Sequence, residues 1–132
     1  MIDLQDDLQA NKALTRAFVE ALGRDRIADA IALMGNDAVW WSPGRTMPPE
    51  ALLESYRGIR PLLKGPLGLA IRTVTAEADR VSLEAQSDVE LTTGARYNNN
   101  YHFLFLISGG KIVEIREHND TLHAAQIFGP LG

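Results

Sequence analysis

The sequence predicts an α+β domain, with helices packed on one side of a curved antiparallel sheet. Three observations lead to it. The first half carries apolar residues at spacings of three and four, interrupted by one short strand pattern, whereas the second half alternates apolar and polar residues almost throughout. Runs of helices followed by runs of strands separate the two kinds of element into different layers. Glycine and proline clusters fall at the joins, where the chain must turn or stop.

The first helix is expected over Asp7 to Leu22. Leu8, Leu14, Ala17, Phe18, Ala21 and Leu22 form one apolar stripe there. Asp6 and Asp7 favour its start, and Gly23 stops it. Asp25 is placed to cap a second, shorter helix carrying Ile27, Ala28, Ile31, Ala32 and Met34, which Gly35-Asn36 ends. Asp37 to Gly44 (DAVWWSPG) reads as a short strand closed by Pro43-Gly44, and Arg45 to Pro48 as loop. Pro48-Pro49-Glu50 opens a third helix, because proline suits a first turn and glutamate complements the helix dipole. Leu52, Leu53, Tyr56 and Ile59 give that helix an apolar side.

Strands follow. Leu67 to Ala78 is rich in β-branched residues, and Asp79-Arg80 turns the chain. Val81 to Thr92 places Val81, Leu83, Ala85, Ser87, Val89 and Leu91 on one face, with Ser82, Glu84, Gln86, Asp88 and Glu90 on the other. The segment Tyr97 to Asp120 (YNNNYHFLFLISGGKIVEIREHND) is a hairpin reversed at Ser108-Gly109-Gly110. Tyr97, Asn99, Tyr101, Phe103 and Phe105 share a face of its first strand. Val113, Ile115, Glu117 and Asn119 share a face of its second. Thr121 to Phe128 is expected to close the chain as a helix capped by Asn119 or Asp120.

Composition narrows the function. The 132 residues form a single expected domain, 1–132, with 45% hydrophobic and 23% charged residues, ordinary for a globular protein. A formal net charge of −4 favours neither nucleic acid nor an anionic membrane as partner. The chain holds no cysteine, so a disulfide, a thiol nucleophile and a zinc-thiolate site are excluded. No metal site is expected either, since His102, His118 and His123 lack a ligand spacing. The acidic start MIDLQDDLQANK has no signal-peptide pattern, and no apolar run reaches ~18 residues. A cytoplasmic location is expected.

The aromatic hairpin ending in Arg116-Glu117-His118-Asn119-Asp120 brings apolar wall and titratable groups together, as a binding pocket requires. The element order resembles the cone-shaped nuclear transport factor two-like fold, a cystatin-like α+β barrel whose curved antiparallel sheet packs on three helices. Asp37 to Gly44, and Tyr97-Asn-Asn-Asn-Tyr101 with Gly110 to Thr121 (GKIVEIREHNDT), resemble its polyketide-cyclase (SnoaL-like) branch. Ketosteroid isomerases, limonene-epoxide hydrolases and aldol-type cyclases share this fold. The resemblance implies a small, mostly apolar ligand held inside the cone, with no metal or organic cofactor.

Glu117 falls where cyclases and epoxide hydrolases place a catalytic aspartate, and Asp88 falls near the second aspartate of the hydrolases. Gln86 replaces the arginine that bridges those two acids, which counts against epoxide hydrolysis because glutamine cannot hold two carboxylates by charge. Phe103 or Phe105 stands where the cyclases carry a histidine. Glu117 and Asp88 are the candidate general bases, since burial raises a carboxyl pKa toward working pH. Tyr101, with Asn99, is the candidate donor to a developing oxyanion. Trp41, on a face with Val39 and Pro43, and Phe103 are candidate walls, with Trp40 expected under the helices. Gln86, Tyr56 and His118 complete the expected binding residues. His118 lies opposite Glu117 unless a bulge exchanges the faces.

Three functions remain open on these residues. One is cofactor-independent proton transfer on a small hydrophobic carbonyl compound, an isomerase or cyclase step. The second is epoxide hydrolysis by Asp88 and Glu117. The third is a module that binds a hydrophobic ligand without transforming it. A homodimer is expected, paired through the apolar Val81-Leu83-Val89-Leu91 face.

Overall fold

The computed structural model describes residues 4–129, with side chains from Asp7 onward. Helix α1 (Leu4–Gly23) and helix α2 (Ile27–Ala32) come first. Helix α1 begins ahead of the expected Asp7, and the side chain of Asp6 lies outside the described residues. Strand β1 (Met34–Ser42) starts earlier than expected, taking Met34 from the second helix pattern. Gly44, at φ 90°, then turns the chain directly into β2 (Arg45–Met47), so the expected loop is half of a hairpin. Helix α3 (Pro49–Ile59) follows, with a short 3₁₀ turn at Arg60–Leu62. Among the described residues no helix is long and apolar enough to cross a membrane.

The remaining strands are β3 (Ala70–Glu77), β4 (Arg80–Gln86), β5 (Val89–Glu90), β6 (Arg96–Tyr97), β7 (Asn100–Ser108) and β8 (Lys111–Asn119). Helix α4 (Thr121–Phe128) is the last element of the described residues, capped by the Asp120 carboxylate, which accepts from the His123 N–H at 3.1 Å. Six strands make one curved sheet in the order β2-β1-β8-β7-β4-β3. The α+β class holds, but the sheet is mixed rather than wholly antiparallel, because β1 runs parallel to β8. That pairing sets Trp40 beside Ile115 and Trp41 beside Arg116.

Helix α1 lies across the inner face of the sheet. Its Phe18 is fully buried, with ring centroids 5.6 Å from Trp40 and 5.7 Å from Phe105. Truncating such a core phenylalanine to alanine typically costs about 3–5 kcal/mol. Val81, Leu83 and Ala85 are buried in this same core, whereas Val89 and Leu91 join a second cluster with Leu63, Tyr97 and Ala124. The apolar face expected to pair two subunits is therefore internal. Burying it against a helix removes it from water as effectively as a dimer would, within one chain.

Two irregularities decide which side chains face the cavity. The expected strand from Val81 to Thr92 breaks after Gln86, where the Ser87 N–H turns to Asn99 O and the Asp88 N–H to Leu67 O, both at 2.9 Å. Gly68 lies against this break at φ 65°, and a Cβ there would sit 3.0 Å from the Asp88 carbonyl oxygen. On β8, Leu106 pairs with Glu114 and Ile107 with Ile112, so Val113 is the extra residue of a bulge. Ile112 and Ile115 are both fully buried, while Val113, expected on the face of Ile115, points out at 37% exposure.

Candidate functional site

A cavity of about 260 Å³ lies between the inner face of the sheet and helices α3 and α4. Its apolar wall is built by Leu52, Tyr56 and Ile59 of α3, Phe103 of β7, Trp40 of β1 and Phe128 of α4. The Tyr56 hydroxyl donates to the Asp25 carboxylate, which Arg60 also holds, with Nη2 at 3.0 Å. The hydroxyl is thus engaged by Asp25 while the residue lines the cavity. Asp25 takes φ 65°, a left-handed conformation that aspartate tolerates better than most residues, and this pairing fixes it.

Polar groups converge at one end. Regular alternation along β8 after the bulge turns Glu117 and Asn119 into the cavity, and β7 brings Tyr101 beside them by pairing it with Asn119. The Trp40 indole N–H donates to Glu117 Oε1 at 3.0 Å, and the Asn119 amide donates to Oε2 at 2.7 Å. Protein surrounds this carboxyl except on its cavity side. Burial pushes its pKa up, against the opposing pull of these two donors and of the Arg45 and His118 charges. The protonated form is thereby favoured more than in a carboxyl exposed to water.

Opposite stands a phenol pair. Tyr101 and Tyr97 share a hydrogen bond between their hydroxyls, and the Asn99 amide donates to the Tyr97 oxygen at 3.0 Å. With Asn99 feeding Tyr97, the Tyr97 proton can serve Tyr101 and leave the Tyr101 proton for a ligand. Burial raises the pKa of Tyr97 and drives that of Tyr101 well up; the nearby Glu117 charge adds to both. Both phenols therefore keep their protons at neutral pH. Tyr101 stacks parallel to Phe103 at 5.7 Å, which fixes its ring.

The structure brings Glu117, Tyr101, Phe103 and Tyr56 together and removes the other expected residues from the cavity. Asp88 lies exposed just beyond the β4 break, paired with Arg96 at 2.6 Å. Gln86 stands on the outer face against Arg72. Trp41 and His118 also occupy the outer face, where their rings sit 5.1 Å apart in an open groove with Val39 and Arg116. The wall expected from Trp41 is supplied by its neighbour Trp40, because β1 presents its even-numbered side chain inward. Asn99 is fully buried with its amide spent on Tyr97 and on Asp120 O at 3.1 Å, and its carbonyl accepts from the Asp120 N–H. It orients Tyr97 and has no donor left for a ligand.

A family model for the SnoaL-like domain matches residues 15–115, well over half of the chain. The chain belongs to the SnoaL-like family. No match is found among the curated proteins. Among solved structures, the SnoaL-like domain is similar to AclR, a putative hydroxylase from Streptomyces galilaeus, with a TM-score of 0.81 at 21% identity over 95% of this chain and 88% of that one. It is similar to a putative polyketide cyclase from Xanthomonas campestris pv. campestris, with a TM-score of 0.77 at 17% identity over 89% and 96% of the two chains. It also matches an LEH-like epoxide hydrolase of M. tuberculosis, with a TM-score of 0.74 at 16% identity over 94% and 99%. What these share with the SnoaL-like domain is the nuclear transport factor two-like fold.

Four residues of the site were not expected from sequence. Asn119 follows Glu117 by two positions and Tyr97 shares strand parity with Tyr101, so alternation contained a signal for both. Trp40 could not be told from Trp41 by alternation. Arg45, on β2 at the cavity edge, carried no signal in a stretch read as loop.

Proposed function

We propose that this SnoaL-like domain catalyses cofactor-independent proton transfer next to the carbonyl group of a small hydrophobic compound. One observation carries the reading: a half-buried carboxyl of raised pKa, Glu117, faces an apolar cavity alongside the protonated phenol of Tyr101. Glu117 takes a proton from the α carbon, the C–H electron pair moves into the new C=C bond, and the carbonyl oxygen becomes an enolate. Tyr101 donates a hydrogen bond to that oxygen, and Tyr97 supports Tyr101. Returning the proton to another carbon gives isomerisation; attack of the enolate on a second carbonyl gives ring closure.

A positioned general base typically contributes about 10²–10⁴-fold in rate. One preorganised donor to the oxyanion adds roughly 3 kcal/mol of transition-state stabilisation. The similarity to a putative polyketide cyclase fits this reading, since aldol closure begins with the same abstraction. The two-acid hydrolysis of an epoxide lacks its second acid, because Asp88 stands in solvent with Arg96.

The test is deuterium uptake at the benzylic CH₂ of phenylacetone in D₂O, followed by proton NMR. Wild type is expected to accelerate the exchange, and Glu117→Gln to lose the acceleration. A wild-type rate equal to buffer, or an undiminished rate in Glu117→Gln, overturns the proposal.

A further inference from the structure

We propose that Arg45 reads an acidic group on the substrate, so that the molecule taken up is a one- or two-ring carbonyl compound bearing a carboxylate or similar anion on the α-carbon side of its carbonyl. The inference rests on the proton-transfer reading and specifies what that site accepts.

The size follows from the cavity. At about 260 Å³ it is less than twice the ~150 Å³ cavity that takes up benzene in another protein. One or two fused rings fill it, and anything larger protrudes from the mouth.

The charge follows from the order of strands. Across the cavity wall, β2, β1, β8 and β7 present Arg45, Ser42, Glu117 and Tyr101 in turn, with Arg45 and Ser42 paired directly across the β1–β2 hairpin. A carbonyl oxygen at Tyr101 and an α carbon at Glu117 therefore direct the rest of the molecule toward Arg45. Arg45 is the one cationic side chain among the described residues that line the cavity. It makes no hydrogen bond or ion pair with another described side chain, unlike Arg60 with Asp25 or Arg116 with Glu114. Its charge is felt at Glu117, which places it within electrostatic reach of the reacting centre. A guanidinium with its fork of donors unspent recognises a carboxylate in bidentate fashion. The Ser42 hydroxyl beside it offers a further donor.

The experiment compares para-acetonylbenzoate with its methyl ester by titration calorimetry at low salt and about pH 8, where the benzoate is ionised. Wild type is expected to bind the acid about tenfold more tightly than the ester, an advantage that salt weakens. Arg45→Gln is expected to abolish the preference, and Arg45→Lys to restore part of it. Equal affinities in wild type, or a preference that survives Arg45→Gln, overturn the proposal. Affinity is read without turnover, so this outcome is separate from the effect of Glu117→Gln on exchange.

Discussion

Strand β8 carries two glutamates three residues apart on opposite faces of the sheet. Glu114 lies on the outer face, where Arg116 Nε meets it at 2.8 Å in contact with water. Glu117 lies on the inner face, where its partners are an indole and an amide, both neutral. A neighbouring guanidinium in solvent makes a carboxylate a surface charge worth little to stability. The low-dielectric wall raises its pKa, and the neutral donors offset that only in part. The same side chain becomes a candidate reagent on one face and a solubilising group on the other.

The comparison breaks most simply by removing each charge in turn. Glu117→Gln is expected to slow exchange at the phenylacetone CH₂ by at least about 10²-fold. Glu114→Gln is expected to leave it within about twofold, as a solvent-screened charge outside the cavity should. Equal losses from the two variants would mean that exchange is not occurring in the cavity.

How far the sequence revealed this depends on where the backbone stays regular. From Asn100 to Ser108 it does, and alternation alone groups Tyr101 with Phe103 on the face that turns out to line the cavity. The odd-numbered positions from Val81 to Leu91 were also correctly grouped, and all six are buried. What alternation lacks is a label for inside. The pattern alone suits the apolar set to a dimer surface, and the resemblance alone brings Asp88 and Gln86 into the site. Packing decides the matter the other way, under α1 for Val81 and Leu83 and against Tyr97 and Ala124 for Val89 and Leu91. At Val113 the pattern fails for a different reason, because the bulge shifts parity by one residue and no local residue type announces it. Glu117 kept its inward assignment because Ile115, on the same side of the bulge, shares its parity.

The phenols sharpen the comparison with a smaller effect. Tyr101→Phe is expected to lower exchange by about 10²-fold, the usual cost of one oxyanion donor. Tyr97→Phe should cost less, since Tyr97 acts through Tyr101. On the outer face of the adjacent β7 position, His102 shares a hydrogen bond with Ser82 at 2.6 Å, and His102→Gln is expected to leave exchange unchanged. A Tyr97 effect as large as that of Tyr101 would mean that Tyr97 contacts the oxyanion directly as well.

Protonation gives the next contrast. With the Glu117 pKa raised by burial, the rate of exchange should climb with pH through a midpoint above the ordinary carboxylate value. Trp40→Phe deletes one of the donors that favour the ionised form, so it should move that midpoint higher still. Stability runs in the opposite sense. A carboxyl whose folded pKa exceeds its unfolded one contributes stability that is full below the unfolded value and lost as pH rises through the folded value. Glu117→Gln, which cannot ionise, should therefore gain in melting temperature over wild type as pH rises through that window, and the gap should level off above it. Melting curves across pH that stay parallel for the two proteins would contradict the burial of this group.

The smallest expected effect concerns the paired tryptophans. Trp40 lies in the core at 2% exposure and touches both Phe18 and Glu117, whereas Trp41 leans on His118 in an open groove. Trp41→Ala removes a half-buried ring from a surface whose neighbours Val39 and Arg116 can close over it, so a destabilisation on the order of 1 kcal/mol is expected. Exchange should stay within about twofold, because the sheet separates this groove from Glu117. His118 reaches across the sheet electrostatically, since its charge lowers the Glu117 pKa. A Trp41→Ala variant whose rate falls strongly while its melting temperature holds would show that the outer groove governs the chemistry through this histidine. The division between the two faces would then be the wrong frame for the site.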